Sequence, residues 1–582
     1  MSFLRTTVVT AYRSRLYPNY WDILALLFVL SVITFFAWTA KQMATPYQLG
    51  QVIPITLNSH ALPFYASRTV VRMMIALLLS LLFTFIFGTW AAKSRRAERI
   101  IVPMIDILQS VPILGYLSLA VPVFIGMFPG SMLGPECAAI FVIFTSQAWN
   151  MTFGFYQTVR SVPSEIKEAA QMLHLSAWQR FWRIEVPFSM PSLLWNAMAS
   201  MSAGWFFVVA AEAITVANQD ILLPGIGSFI ATAIRAANMH AIGNAILTMF
   251  IVILIYDQLL FRPLVAWAEK FKSEQHAAEK VSESWVINLF RRTRLLRIVG
   301  RKLAQWFDAF VNISFLRPTA PRLLVRRVRP SRKAKVVNLV LWDMIMIALS
   351  TLALIFLIYY AVQNISFAEV WHVFVLGLIT ALRVFIMILL CSLIWVPVGV
   401  WIGLRPQAAQ IAQPVAQILA AFPANLFYPV IVIFIVHNHL NPNIWLTPLM
   451  ILGAQWYILF NVIAGASMLP KDLIQVVDNF GVTGWLRWSK LLLPGIFPYY
   501  ITGAITAAGG AWNASIVAEV ASWGNETLVA TGLGAYITEY TTRGSFSHIA
   551  LGIGMMCILV LIFNRLLWRP LYLYAESRFL LE

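Results

Sequence analysis

The chain has 582 residues, of which 60% are hydrophobic and 11% charged, and its mean hydropathy is +0.77. A soluble domain carries about 25% charged residues, so a water-soluble enzyme or binding module is excluded and an integral membrane protein is expected. The net charge of +18 is concentrated, with fourteen Lys/Arg and one acid, Asp308, between Arg291 and Lys335. Beside apolar spans such a tract reads as a cytoplasmic loop held by the positive-inside rule and anionic lipid, not as a nucleic-acid surface.

Runs of about 20 apolar residues predict membrane-spanning helices. They fall near 22–41, 70–91, 105–128, 136–158, 191–217 and 241–262, then near 340–362, 375–403, 414–437, 444–466, 497–520 and 548–568. That is six per half and twelve in all, with Pro112 and Pro423 interrupting the third and the ninth. Basic residues cluster at Lys93 to Arg99 and from Arg160 to Arg183, while 42–66 and 129–135 hold none. Both termini and the stretch 163–191 are therefore expected on the cytoplasmic side. Cys137, Cys391 and Cys557 lie in apolar segments without paired spacing, so no disulfide framework or metal site is expected.

The two halves repeat one another. Pro163, Trp178, Arg180, Pro187 and Pro191 return 307 positions later as Pro470, Trp485, Arg487, Pro494 and Pro498. At offset 311, Thr69, Arg72, Gly88 and Pro112 meet Thr380, Arg383, Gly399 and Pro423. At offset 307, Glu212, Gly225 and Gly227 meet Glu519, Gly532 and Gly534. The expected organisation is a first repeat over 1–271, a basic linker over 272–338 and a second repeat over 339–582. An even number of spans per repeat makes the copies parallel, with a path between them. A short amphipathic piece, Trp285 to Phe307, is suited to the membrane surface.

Each repeated stretch reads as a short helix, a bend and a second helix. Ser164 is placed to cap the first helix, and Ile166, Ala169, Ala170 and Leu173 form its apolar stripe. Ser176 and Gln179 have capping-box spacing for the second. In the other copy Gly481 to Gly484 supplies the bend. On these residues alone, an interfacial hairpin packed against its own bundle is the preferred reading.

Glu168-Ala169-Ala170, then a bend, then Pro187 nineteen residues after the glutamate, resembles the EAA loop of ABC importer permeases. The rest of each half resembles the nitrate, sulfonate, taurine and bicarbonate permease group. The resemblance implies an all-α membrane protein of two parallel six-helix repeats whose loops 163–191 and 470–498 couple to a cytoplasmic ATPase dimer. ATP and Mg would reside on that partner, with no cofactor in this chain, and an external solute-binding protein and a bacterial inner (plasma) membrane are implied as well. The first copy has His174 where the family usually has Gly, whereas the second keeps Gly481 but has Gln475-Val476-Val477 in place of Glu-Ala-Ala.

Polar residues inside spans are costly and are candidates for a translocation path or gate. Arg72 and Arg383 lie one turn into their spans, where they snorkel, pair with an acid or steer an anion. Glu212, some 32 Å along a helix from Pro191, and Glu519 fall at the external end. There they gate, bond the glycine-containing loop that follows, or reach interfacial water. Asp106, Gln109, Ser110 and Asn150 correspond to Gln417, Ala420, Ala421 and Tyr457, an asymmetric polar set; Asn196 and Asn513 are further candidates. A helix–helix hydrogen bond explains any one of them equally well. The chain lacks the phosphate-binding loop G-x-x-x-x-G-K-[ST] and the H-E-x-x-H and G-x-S-x-G signatures, so an enzyme is not expected. The competing expectation is a secondary transporter with parallel six-helix halves.

Overall fold

The computed structural model describes residues 53–110, 112–216, 219–268, 285–312, 365–524 and 526–579, with scattered residues between Ile23 and Tyr47. The expected span at 340–362 and most of the one at 22–41 lie outside the described residues, as do 272–284 and 313–338 of the expected linker.

Described in chain order, the first half contains α1 (Ser59–Lys93), α2 (Arg95–Ser110), α3 (Ile113–Met127), α4 (Leu133–Arg160), α5 (Ser164–Met172) and α6 (Ala177–Ala211). A hairpin β1 (Ala213–Val216) and β2 (Gln219–Leu222), then α7 (Ile226–Arg235) and α8 (Met239–Ala268), complete it. Between the halves lie α9 (Trp285–Arg292) and α10 (Arg294–Val311). The second half follows the same order: α11 (Phe367–Gly403), α12 (Pro406–Ala421), α13 (Tyr428–His437), α14 (Gln455–Ser467), α15 (Lys471–Asn479) and α16 (Gly484–Ala518). Hairpin β3 (Val520–Trp523) and β4 (Glu526–Val529), α17 (Leu533–Arg543) and α18 (Phe546–Ala575) end it.

Among the described residues, six helices are long and apolar enough to cross a membrane: α1, α6, α8, α11, α16 and α18. Two bent pairs bring the number to eight. The predicted span 414–437 is broken at Pro423, where its two pieces meet at 76°. The predicted span 444–466 is likewise not straight. Helical turns over Pro442–Met450 meet α14 at 46° across the non-helical turn formed by residues 451–454. Pro112 separates α2 from α3. The spans expected to run to 217 and 520 stop at Ala211 and Ala518, and each continues as a four-residue antiparallel hairpin.

Five membrane helices carry a π-helical turn: α1 at Thr84–Gly88, and in two matched pairs α6 at Phe181–Glu185 with α16 at Trp488–Leu492, and α8 at Asp257–Phe261 with α18 at Asn564–Trp568. The members of each pair stand 307 residues apart, so the extra residue in the helical ladder belongs to the repeat. A helix of 35 residues is about 52 Å long, against a hydrocarbon layer of about 30 Å. α1, α6 and α16 therefore project beyond the apolar layer or tilt within it.

The chain forms two compact units. One comprises Gly154–Met198 and Leu254–Ala334 with the N-terminal residues to Gln42; the other comprises Met43–Phe153, Ala199–Ile253 and Lys335–Glu582. In the larger unit α11, α14 and α16 pack closely, aided by missing side chains: a Cβ at Gly403 would stand 2.6 Å from Cβ of Ala466, and one at Gly503 2.8 Å from the carbonyl of Tyr457. In the smaller unit the core lies around Phe155, Phe181, Trp178 and Trp182.

Candidate functional site

The two repeated loops adopt the same local fold. In the first, α5 ends at Met172, His174 takes a left-handed conformation (φ 51°), and the chain turns into α6. Gln179 N–H donates to Ser176 Oγ at 3.1 Å, and Ser176 N–H donates to Gln179 Oε1 at 3.0 Å, which is the expected capping box. Ser164 is not the cap. Pro163 holds that position and Ser164 begins the helix, its hydroxyl 3.4 Å from the Glu165 carboxylate. In the second loop, α15 ends at Asn479, and Gly481 (φ 63°) and Gly484 (φ 60°) make the turn. A left-handed residue thus stands at position 174 and again 307 residues later. Glycine adopts that conformation freely, whereas histidine does so at a cost of roughly 1 kcal/mol.

On α5, Glu168 and Ala169 are exposed and Ala170 is buried; on α15, Gln475 and Val476 are exposed and Val477 is half-buried. Met172 and Leu173 of the first loop, and Phe480 of the second, present apolar side chains to the outside. Each loop is therefore a short helix with an exposed, partly apolar face, and it turns Ala170 inward in the first copy and Val477 in the second.

A second constellation was only half visible in the sequence. Arg72 is fully enclosed, so it does not snorkel. Its Nε donates to Glu136 Oε2 at 2.5 Å, its Nη2 to Glu136 Oε1 at 2.7 Å and its Nη1 to Glu212 Oε1 at 2.6 Å. Arg68 Nη2 reaches Glu136 Oε1 at 2.7 Å. Glu212 also accepts from the Thr69 hydroxyl at 2.7 Å and from the N–H of Gly227 at 2.7 Å. Thr69 in turn receives the N–H of Ile226 at 3.1 Å. Glu212 therefore caps the first turn of α7, where free N–H groups and the helix dipole favour a carboxylate. Of the roles expected for it, bonding the glycine-containing loop is the one the geometry contains.

The second repeat builds the counterpart. Glu519 accepts from Thr380 Oγ1 at 2.8 Å, Arg383 Nη1 at 3.3 Å and the N–H of Ala535 at 3.0 Å, and Leu533 N–H donates to Thr380 at 2.9 Å. Arg383 Nη2 donates to Asn443 Oδ1 at 3.0 Å. Asn443 lies 307 positions after Glu136, and Ile379 lies 311 after Arg68. Replacing that arginine and that glutamate together keeps each knot neutral, two against two in one repeat and one against one in the other. A methyl group at Gly225 or Gly532 would fall within the carboxylate of Glu212 or Glu519, which explains the repeated glycine.

Elsewhere in the larger unit the repeats meet each other. Asn513 Oδ1 on α16 accepts the N–H of Ile113, the first residue of α3, at 2.6 Å. Asn425, just past the break at Pro423, donates through Nδ2 to the carbonyl of Phe206 on α6 at 3.4 Å. Phe206 and Asn513 are 307 apart, so each broken segment touches the same point on the long helix of the other repeat. Away from the break, the N–H of Gly524 in the β3–β4 turn donates to the carbonyl of Ile234 in α7 at 2.9 Å. Asn150 is half-buried and bonds Ser200 at 3.1 Å; Gln417 is half-buried and Gln109 exposed. Asn196 is tied to the Ser192 carbonyl at 2.9 Å. The side chains of Asp106 and Ser110 lie outside what is described.

Arg68, Glu136 and Asn443 were missed in the sequence reading. For Glu136 the signal available was a charged residue at the start of a predicted apolar span, preceded by a proline that also repeats (Pro135 and Pro442).

These features define a duplicated, all-α membrane protein with one exposed helical hairpin and one charge-capped loop per repeat. Residues 84–262 and 395–569 each match the family described as binding-protein-dependent transport system inner membrane component, and the chain belongs to that family. The glycine betaine/carnitine transport permease protein GbuB of Listeria monocytogenes is 28% identical over 149 residues, 25% of this chain and 50% of that protein. The bicarbonate transport system permease protein CmpB of Synechocystis is 24% identical over 164 residues, 28% of this chain and 55% of that protein. The taurine transport system permease protein TauC of Escherichia coli is 27% identical over 179 residues, 31% of this chain and 62% of that protein. The chain thus spans about half the length of the first of these curated relatives.

Proposed function

We propose that the chain is the membrane component of an ATP-binding cassette importer, with both permease copies in one polypeptide (1–271 and 339–582, joined by the linker 272–338). The observation that carries the proposal is the pair of matched hairpins, each with a short exposed helix, a left-handed turn and a π-helical entry into a long span. A cytoplasmic ATPase dimer, holding ATP and Mg, would seat these helices through Glu168, Ala169 and His174 on one side and Gln475, Val476 and Gly481 on the other. Its closure would drive the repeats between outward- and inward-facing states.

The path runs between the repeats, near the contacts Ile113–Asn513 and Asn425–Phe206, with Asp106, Gln109, Ser110, Asn150 and Gln417 as candidate lining residues. Arg72, Arg383, Glu212 and Glu519 act as anchors that hold the glycine-containing loops at the external end. The substrate is a small solute bearing an oxyanion group, since nitrate, bicarbonate, taurine and glycine betaine, named for the related permeases, all carry one. An external solute-binding protein delivers it. The membrane is the bacterial inner membrane, with both termini cytoplasmic, supported by the distribution of basic residues.

The test is co-purification and transport. A stoichiometric ATPase should accompany the chain and be lost on combining Glu168→Lys with Val476→Asp, and solute uptake into vesicles should require ATP. A chain that purifies alone and moves solute on an ion gradient would refute the proposal in favour of a secondary transporter.

A further inference from the structure

Helix α10 carries its apolar residues at Val299, Leu303, Trp306 and Phe310, spacings of 4, 3 and 4 that place them on one face. They are unusually open for such residues: Trp306 is 76% exposed and Leu303 62%. Arg301, and by helical register Arg294 and Arg297, fall on the opposite side, with Lys302 at the border. The stretch 313–338 adds eight basic residues and no acid, so the tract that follows repels this helix and complements an anionic surface.

The C-terminal end of α10 is fixed at the entry of a membrane span. Trp178 Nε1 donates to the carbonyl of Phe310 at 3.2 Å. Gln179 Nε2 and Arg183 Nη2 donate to Asn312 Oδ1 at 3.0 and 3.3 Å. Trp182 meets the rings of Phe307 and Phe310 edge-on, and Val311 is buried. Trp178 to Arg183 form the first turns of α6, so this end of α10 lies beside the start of a span.

The second hairpin keeps the tryptophan but has lost two of the side chains that make these contacts. Leu486 stands where Gln179 would be, Ser489 replaces Trp182, and Trp485, counterpart of the half-buried Trp178, is 76% exposed.

We infer that α10 is an in-plane helix that binds anionic phospholipid and tethers the first coupling hairpin, alone of the two, to the membrane surface. Its apolar face enters the headgroup boundary and its arginines meet lipid phosphates. Near such a surface each basic residue contributes about fivefold in affinity. The inference rests on the chain being a membrane protein and on the identity of the hairpins, and its test needs no transport.

Full-length protein in nanodiscs of phosphatidylcholine, with and without phosphatidylglycerol, is followed by hydrogen–deuterium exchange. Exchange across 294–311 should slow roughly tenfold or more in the anionic discs, and the combined variant Arg294→Gln, Arg297→Gln, Arg301→Gln should abolish the difference. Trp306→Ser with Leu303→Ser should do the same without altering charge. Asn312→Ala should speed exchange at 176–183 while leaving lipid-dependent protection of α10 in place. Equal exchange in both kinds of disc, or protection that appears only on adding a partner ATPase, would overturn lipid binding. Unchanged exchange at 176–183 in Asn312→Ala would overturn the tether.

Discussion

Replacing Glu136 and Arg68 singly and together tests whether the buried knots hold through charge balance. Glu136→Asn leaves Arg68 and Arg72 facing Glu212 alone, an excess positive charge in a site from which water is excluded. Breaking one partner out of a buried ion pair costs about 3–5 kcal/mol. Arg68→Ile leaves Arg72 between two carboxylates and should cost a similar amount. The double variant restores neutrality and recreates the arrangement found around Arg383, Glu519 and Asn443. It should therefore be less damaging than either single change, with a favourable coupling of about 3 kcal/mol or more. Recovery will be incomplete. Asn443 also accepts the N–H of Thr531 at 2.8 Å, whereas Pro224, which stands 307 positions before Thr531, has no N–H to give. That missing bond is worth about 1 kcal/mol. The assay is SDS-induced unfolding of the four proteins in mixed micelles, read as a double-mutant cycle. Additive losses, with the double variant the least stable, would refute the charge-balance reasoning.

Gly532→Ala should displace the Glu519 carboxylate from the start of α17 and cost about 1–3 kcal/mol in the same unfolding assay, because the new methyl group takes the carboxylate's place; a neutral result would show that the loop shifts freely. Asn513→Ala leaves the N–H of Ile113 without its side-chain acceptor and should cost about 1–3 kcal/mol, with an unchanged midpoint counting against the contact. His174→Gly removes a left-handed non-glycine residue and should stabilise the first hairpin by about 1 kcal/mol, seen as slower deuterium exchange over 164–176. Faster exchange there would mean that the imidazole itself holds the turn.

The repeat, its offsets and the hairpins were legible because prolines, glycines and aromatic residues act through local backbone rules that sequence spacing displays. The Ser176–Gln179 capping box is such a rule, and it forms as spaced. Glu212 and Arg72 were legible as costly charges, but their partnership was not, since Arg72, Glu136 and Glu212 meet only when three helices close around them. Hydropathy alone suggested spans running to 217 and 520. The turn to a hairpin at Ala213 and Val520 depends on the preceding glutamate folding back to cap the following helix, a tertiary event. The bend before α14 was not legible because the turn at 451–454 lies inside a continuous apolar run.

Consider finally the unequal hairpin faces, Trp178, Gln179 and Trp182 on one side against Trp485, Leu486 and Ser489 on the other. In a symmetric homodimer every substitution is expressed twice, so a feature useful on one flank must be tolerated on both. Joining the copies in a single polypeptide lifts that requirement. Mutations at one hairpin can then be selected without reference to its twin, and one flank can specialise as an attachment point while the other remains unburdened.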